Sequence, residues 1–153
     1  MKRRLLITVF YAIMLFCLVS LSGCFSEQEY DFLQERSAIS SIRIVKVIGL
    51  DEGDGLRPEL EIICEVVEID RFLEDFTEIS CHMRLADPSR VRDNEAVIQI
   101  IYENADYEII DYCGQSKYYN GWYHTYSGHQ GFDKEQFANL LSKYIERAEI
   151  LQA

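Results

Sequence analysis

Cysteine and histidine are the side chains of this sequence best suited to chemistry, because thiolate and imidazole groups bind metals and act as nucleophiles or bases. A zinc site can be imagined from Cys81, Cys113, His124 and His129, with His82 directly after the first cysteine. Their spacing matches no compact zinc motif, so such a site would depend wholly on the fold. We therefore predict no metal site, no cofactor, and histidines that are solvated or locally hydrogen bonded.

Other catalytic signatures are absent from the sequence, which contains no HExxH, GxSxG, GxGxxG or P-loop pattern. Carboxylates are plentiful, but acid–base catalysis needs a pair in different environments, and nothing selects such a pair. The chain has 26 acidic against 15 basic residues, a formal net charge of -11. This charge repels phosphate backbones, so nucleic acid is excluded as a partner. We predict no catalytic residues.

Aromatic residues concentrate around Asn120-Gly121, the strongest short hairpin signal in the chain. Aromatic rings beside amide and imidazole groups are typical of sugar-binding and peptide-binding surfaces. Tyrosine also suits half-buried antiparallel strands, and neighbouring residues of a strand point to opposite faces, so at least half of the rings should pack inward. The candidate binding surface consists of Tyr118, Tyr119, Trp122, Tyr123 and Tyr126.

The N-terminus has the pattern of a secretory signal. Lys2-Arg3-Arg4 precedes an apolar run from Leu5 to Leu21, and no acidic residue occurs before Glu27. A run of this length lies at the lower limit for spanning a bilayer, so an uncleaved membrane helix is the alternative. Both interpretations place residues 25–153 outside the cytoplasm, because the positive flank stays inside.

Leu21-Ser22-Gly23-Cys24 resembles the lipobox of bacterial lipoproteins, in which an aliphatic residue and two small residues precede a cysteine. The resemblance implies a diacylglyceryl thioether on Cys24, with acyl chains of the palmitate type, and cleavage after Gly23. It implies an extracytoplasmic protein held to the cell membrane by this lipid, since two acyl chains anchor stably. Loss of residues 1–23 leaves 12 basic and 26 acidic groups, a net charge of -14.

Three cysteines remain in the mature chain after Cys17 and Cys24 are assigned to the signal segment and the lipid. This odd number leaves at least one thiol unpaired or paired with another chain. The extracytoplasmic setting would permit one disulfide, whereas three buried free thiols are the simpler and favoured interpretation. The residues concerned are Cys64, Cys81 and Cys113.

The domain organisation predicted from these features is a signal peptide (1–23), a lipidated tether (24–38) and a single α+β domain (39–153). Strands are predicted at 41–48, 59–69, 79–85, 96–102 and 107–112, and on both sides of Asn120-Gly121. A short helix is predicted at 71–77 with Asp70 as its N-cap. Consecutive hairpins favour an antiparallel sheet of five to seven strands with the helices on one face.

The last predicted element is a C-terminal amphipathic helix capped by Asp133, with Gln136 at the third position of the first turn. Phe132 and Phe137 occupy the positions of a hydrophobic staple. The inward stripe is formed by Phe137, Leu140, Leu141, Tyr144, Ile145 and Ala148.

Two functional hypotheses follow. The first is a non-catalytic binding or accessory module, anchored through Cys24, whose acidic surface attracts a basic protein or whose aromatic rings bind a cell-wall component. The second is a metal-dependent or hydrolytic envelope enzyme that uses the cysteine and histidine set.

Overall fold

A computed structural model of the protein describes residues 28–51, 57–83, 95–125 and 130–152. The predicted signal peptide, the lipobox with Cys24, and the residues Tyr126 and His129 lie outside the described residues.

In the part of the chain that the structure describes, eight strands form two antiparallel sheets, which confirms the predicted α+β class. A six-stranded sheet has the order β2-β1-β4-β5-β6-β7, and a two-stranded sheet pairs β3 with β8. The strands are β1 (Ile39–Asp51), β2 (Arg57–Glu65), β3 (Cys81–Met83), β4 (Ala96–Tyr102), β5 (Tyr107–Asp111), β6 (Gly114–Tyr119), β7 (Trp122–Thr125) and β8 (Gln130–Phe132), and the helices are α1 (Ile69–Thr77) and α2 (Lys134–Gln152).

The main core lies between one face of the six-stranded sheet and the two helices. Alternate strand residues such as Ile44, Ile98 and Ile110 are fully buried there. Helix α1 contributes Phe72, Leu73 and Phe76, as predicted, and α2 contributes Phe137, Leu140, Leu141 and Tyr144.

A second buried cluster occupies the opposite face of the same sheet. Val45, Val47, Val97 and Ile109 have no exposed surface, and Tyr107 stacks on Tyr118 with ring centroids 4.9 Å apart. The central strands are therefore apolar on both faces, which explains why β1 and β4 read as nearly continuous aliphatic runs.

The cap of α2 follows the sequence prediction, whereas the start of α1 does not. Asp133 Oδ1 accepts a hydrogen bond from the Gln136 amide at 2.9 Å. The Gln136 side chain does not close a capping box, because its Oε1 accepts the Ser80 amide. Helix α1 begins at Ile69 with Glu68 as its N-cap, so the prediction that Asp70 is the N-cap was wrong. Asp70 lies in the first turn instead, where its negative charge interacts favourably with the helix dipole.

Several strand boundaries also differ from the predictions. Strand β2 ends at Glu65, four residues earlier than expected, and the amide of Val66 then bonds to the Ile42 carbonyl as the chain turns toward α1. Strand β8 was not predicted, because three residues are too few to show an alternating pattern.

The turn between β4 and β5 places an alanine in the left-handed conformation, since Ala105 has a φ of 66°. Asn104 uses its side-chain oxygen to accept the Asp106 amide at 3.1 Å. This local hydrogen bond fixes the turn and leaves the positive φ to the residue between the two.

Residues 28–38, here called the N-terminal strap, lie on the helix-covered side of the sheet. Sequence analysis assigned them to the tether 24–38, but Tyr30 is buried in the main core and Phe32 and Leu33 pack against it. The strap belongs to the folded domain because its aromatic and aliphatic side chains complete the core, and a solvated tether would leave them in water.

Helices α1 and α2 are joined by one carboxylate. Asp75 Oδ2 accepts hydrogen bonds from Lys143 Nζ and the Tyr144 hydroxyl, both at 2.6 Å. The bond from Lys143, followed by that from Tyr144, lowers the pKa of Asp75. A lowered carboxyl pKa contributes stability above the unfolded value near 3.8, and this stability is lost as the pH falls through the folded value.

We therefore expect Asp75→Asn to lower the free energy of unfolding at pH 7 more than at pH 3. Both hydrogen bonds to a charged acceptor are weakened in the variant, while the wild-type carboxylate loses its advantage when it is protonated. Urea denaturation of both proteins between pH 2.5 and 7 measures the difference. A difference that stays constant over this range would contradict the assigned role of Asp75.

Candidate functional site

The aromatic hairpin, defined here as β6, β7 and the turn between them, forms one end of the six-stranded sheet. Asn120 and Gly121 have φ values of 54° and 79°, the two positive angles of a type I′ turn. A Cβ on Gly121 would meet no atom within 4 Å, so the tip of the turn is open. The sequence signal Asn-Gly thus correctly located the hairpin.

Strand pairing assigns the aromatic side chains to two faces. Lys117 lies opposite Glu108 of β5 and His124 of β7, while Tyr119 lies opposite Trp122. Directly paired residues share a face and neighbours along a strand alternate. Lys117, Tyr119, Trp122 and His124 therefore belong to the helix-covered side of the sheet.

An exposed aromatic group results at the edge of that side. Trp122 is the sole tryptophan of the chain and keeps 73% of its surface exposed. Tyr119 stacks on His124 with ring centroids 4.2 Å apart and an interplanar angle of 17°. Trp122 lies on the same face as this half-buried pair, so an exposed apolar ring adjoins two stacked rings.

The three residues of the predicted surface whose side chains the structure describes divide between the two faces as alternation requires. Trp122 and Tyr119 lie on the helix-covered side of the sheet. Tyr118 lies on the opposite side, where it stacks on Tyr107. The backbone of Tyr123 pairs with Tyr118, but its side chain, like all of Tyr126, lies outside the described residues.

The charge of this region differs from that of the rest of the chain. No acidic residue occurs between Asp111 and Asp133, although the whole chain has 26. Lys117 is the only charged side chain in that interval, and its Nζ donates to the Asp31 carbonyl of the strap at 3.2 Å. The aromatic hairpin is thus an acid-free segment in a strongly acidic protein, a signal that sequence reasoning missed.

The described members of the cysteine and histidine set lie on different elements of the fold. Cys81 and His82 lie on β3, Cys113 in the turn before β6, and His124 on β7. Among the described residues, no group of three or more potential ligands could hold a metal ion. Cys64, Cys81 and Cys113 are free thiols; Cys64 and Cys81 are buried, as the favoured interpretation expected, whereas Cys113 is only half-buried.

A buried carboxylate is the most unusual polar feature of the described core. Glu108 has no exposed surface and accepts hydrogen bonds from the Tyr30 hydroxyl at 2.9 Å, the Tyr102 hydroxyl, and the Leu33 amide at 3.4 Å. Burial raises the pKa of Glu108, and the bonds from the two tyrosines partly oppose this effect. Burial, followed by the nearby charge of Glu108, raises the pKa of Tyr30 as well.

Glu108 is fully buried and connects the strap to the sheet. Gln130 strengthens the same connection, since its side chain accepts the Asp31 amide at 3.0 Å and donates to the Glu29 carbonyl at 2.9 Å. The alternation of β5 could have revealed Glu108, because it shares its face with the core residue Ile110.

A separate groove of about 360 Å³ lies between the start of α1 and the end of α2. Its apolar lining includes the exposed residues Val67, Ile150 and Leu151. Glu68 is within 4.0 Å of guanidinium groups of Arg71 and Arg147 at the rim, so the rim charges are matched internally.

In the described ranges, no helix is both long and apolar enough to cross a membrane. No protein-family model, no curated protein and no solved structure matches the chain. The function must therefore be argued from the residues themselves.

Proposed function

We propose that the protein is a lipid-anchored extracytoplasmic lipoprotein whose domain is a non-catalytic binding module, with the aromatic hairpin as its contact surface. The observation that carries the proposal is the exposure of Trp122 beside the stacked pair of Tyr119 and His124. A tryptophan left in water adds nothing to the stability of the folded chain, whereas aromatic anchors dominate binding surfaces.

The proposed lipid anchor rests on the lipobox resemblance at Cys24. The position of the strap then limits how far the domain can lie from the membrane. Gln28 is already fixed to the domain, because its amide donates to the Cys81 carbonyl at 2.9 Å. Three residues lie between it and Cys24, and the four steps along the chain span at most about 14 Å. In this proposal the domain sits directly on the membrane surface and cannot reach far from it.

The charge distribution favours a basic partner. After removal of residues 1–23 the net charge is -14, which accelerates the encounter with a positively charged protein. The acid-free hairpin then supplies the close contact through its aromatic rings. A neutral cell-wall glycan would bind the same rings, but the negative charge would not accelerate its encounter with the protein.

Cys24→Ala is expected to leave an unprocessed precursor that takes up no labelled lipid, because only the thiol of cysteine can carry the thioether. Metabolic labelling with a radioactive fatty acid and the mobility of the protein on a gel measure both effects. Cys17→Ala is the matched control and should be processed normally. Lipid uptake by Cys24→Ala would contradict the anchor.

Trp122→Ala is expected to weaken partner binding by about 2 kcal/mol or more, the usual loss at an aromatic anchor. Retention of envelope components by the tagged, detergent-extracted protein measures the loss, at low and high salt. Val67→Ala, which shortens an equally exposed apolar side chain near α1, is the control and should bind as the wild type does. Equal retention by the two variants would place the contact surface elsewhere.

A further inference from the structure

We propose that β7 pairs with the β7 strand of a second copy of this chain, around a two-fold axis at His124, so that two anchored molecules share one continuous sheet. The inference deepens the proposed function and rests on it, because it names a partner for the aromatic hairpin and uses confinement at a membrane.

The two edge strands of the six-stranded sheet differ in how well they are protected against pairing with a strand of another molecule. The β2 edge carries Pro58, exposed carboxylates at Glu59, Glu61 and Glu65, and two register irregularities in its pairing with β1. Proline, charges and bulges are the devices that prevent edge-to-edge pairing. Strand β7 has the sequence Trp-Tyr-His-Thr with none of them, and no described strand lies beyond it.

The turn fixes which backbone groups of β7 point outward. In a two-residue hairpin, the residues that flank the turn exchange both backbone hydrogen bonds, and here these are Tyr119 and Trp122. Farther along the two strands, hydrogen-bonded pairs alternate with pairs that make no backbone hydrogen bond. The amide and carbonyl groups of Trp122 and His124 are therefore directed at β6. Those of Tyr123 and Thr125 are directed away from the sheet and can accept an added strand.

One antiparallel register uses all four outward groups. It pairs Tyr123 with Thr125 of the second copy and Thr125 with Tyr123 of the second copy. His124 then lies opposite its own equivalent in a pair without backbone hydrogen bonds. Trp122 is diagonal to the second His124 on the same face, within reach of a large ring, so pairing would cover surface that is exposed in one copy.

Anchoring favours a second copy as the occupant of this edge, and the local absence of acidic residues permits it. Two chains of net charge -14 repel, but no carboxylate occurs in the sequence between Asp111 and Asp133, so β7 and its flanks meet without opposed acids. A two-fold axis at an antiparallel strand pair is perpendicular to the sheet. Both straps then lie on the same side, and both Cys24 lipids can enter one bilayer.

The pairing is expected to be weak in solution, because two four-residue strands bury less than the roughly 1,200 Å² of a stable interface. Confinement of both anchors in one membrane raises the effective concentration and compensates for this. A covalent trap in membranes is therefore the appropriate measurement.

The test uses the full-length protein in the membranes of expressing cells, with His124→Cys and diamide as the oxidant. Equivalent residues of such a pair are about 4.5 Å apart, within the range that a disulfide spans. We expect roughly tenfold more disulfide-linked dimer than with Val67→Cys, an exposed position remote from the hairpin, and no dimer with the parent protein. Adding Thr125→Pro removes an outward amide that has no backbone partner among the described residues, and should abolish the dimer without changing the urea midpoint.

Three outcomes would overturn the pairing: equal dimer yields at positions 124 and 67, a dimer that survives Thr125→Pro, or His124→Cys linked to a different protein. Fatty-acid labelling of Cys24 in the same cells shows whether the anchor is present. Failure of the anchor and failure of the pairing are therefore distinguished in one experiment.

Discussion

Replacing Glu108 with alanine is expected to lower the free energy of unfolding by about 3–5 kcal/mol, the usual cost of removing one partner from a buried charged network. The Tyr30 and Tyr102 hydroxyls and the Leu33 amide all donate to this carboxylate and would lose their acceptor inside the core. Lys117, paired across the sheet, would lose the opposing charge as well.

Urea denaturation measures the loss, and Glu103→Ala, at an exposed position of the adjacent turn, is the control and should change stability little. The strap should also exchange its amide hydrogens faster in Glu108→Ala, because Tyr30 and Leu33 are the residues released. A loss no larger than that of Glu103→Ala would show that Glu108 does not hold the strap.

The pH dependence of Glu108 has the opposite sign to that of Asp75. Because burial raises the pKa of Glu108, the pH-dependent part of its contribution to stability is fully present below the unfolded value near 4.5 and is lost as the pH rises through the folded value. Glu108→Gln keeps an acceptor and does not titrate. The stability of Glu108→Gln relative to the wild type should therefore improve as the pH rises above 4.5.

Phe76→Ala is expected to cost about 3–5 kcal/mol, the range for removal of a buried aromatic ring. Phe76 is 1% exposed and its ring contacts those of Tyr30, Phe72 and Phe132 at centroid distances of 5.3, 6.1 and 5.2 Å. One ring therefore joins the strap, α1 and β8, and its loss leaves a cavity shared by all three.

Phe76→Leu should lose less, because most of the volume is retained, and Val67→Ala should lose little, because that side chain is 77% exposed. Denaturation midpoints of the three variants test this order. A Phe76→Ala protein as stable as Val67→Ala would contradict the assignment of Phe76 to the centre of the core.

The two large effects share a physical origin. Glu108 binds the strap by hydrogen bonds and Phe76 binds it by ring contacts, so both variants weaken the same short link between Cys24 and the domain. If the anchor exists as proposed, loosening the strap lengthens the reach of the domain from about 14 Å to about 50 Å. Stability and distance from the membrane are then set by the same residues.

Local patterns in the sequence determined the elements whose causes are local. The Asn120-Gly121 turn needs only two residues that tolerate positive φ, and the start of α2 needs only Asp133 and its staple rings. The stripe on α2 repeats often enough to be read directly, and its residues Leu140 and Leu141 are buried as predicted. The signal pattern and the lipobox resemblance are likewise contiguous in the chain.

The tertiary structure alone decided the features that depend on residues far apart in sequence. Glu108 and Tyr30 are 78 positions apart, so their hydrogen bond could not be read from either segment, and residues 28–38 looked like a tether until their core contacts were known. The exposure of Trp122 was equally undetermined, since alternation assigns a face but not what covers it. Burial is a property of the packed whole, because each side chain is shielded by elements whose arrangement no local pattern encodes.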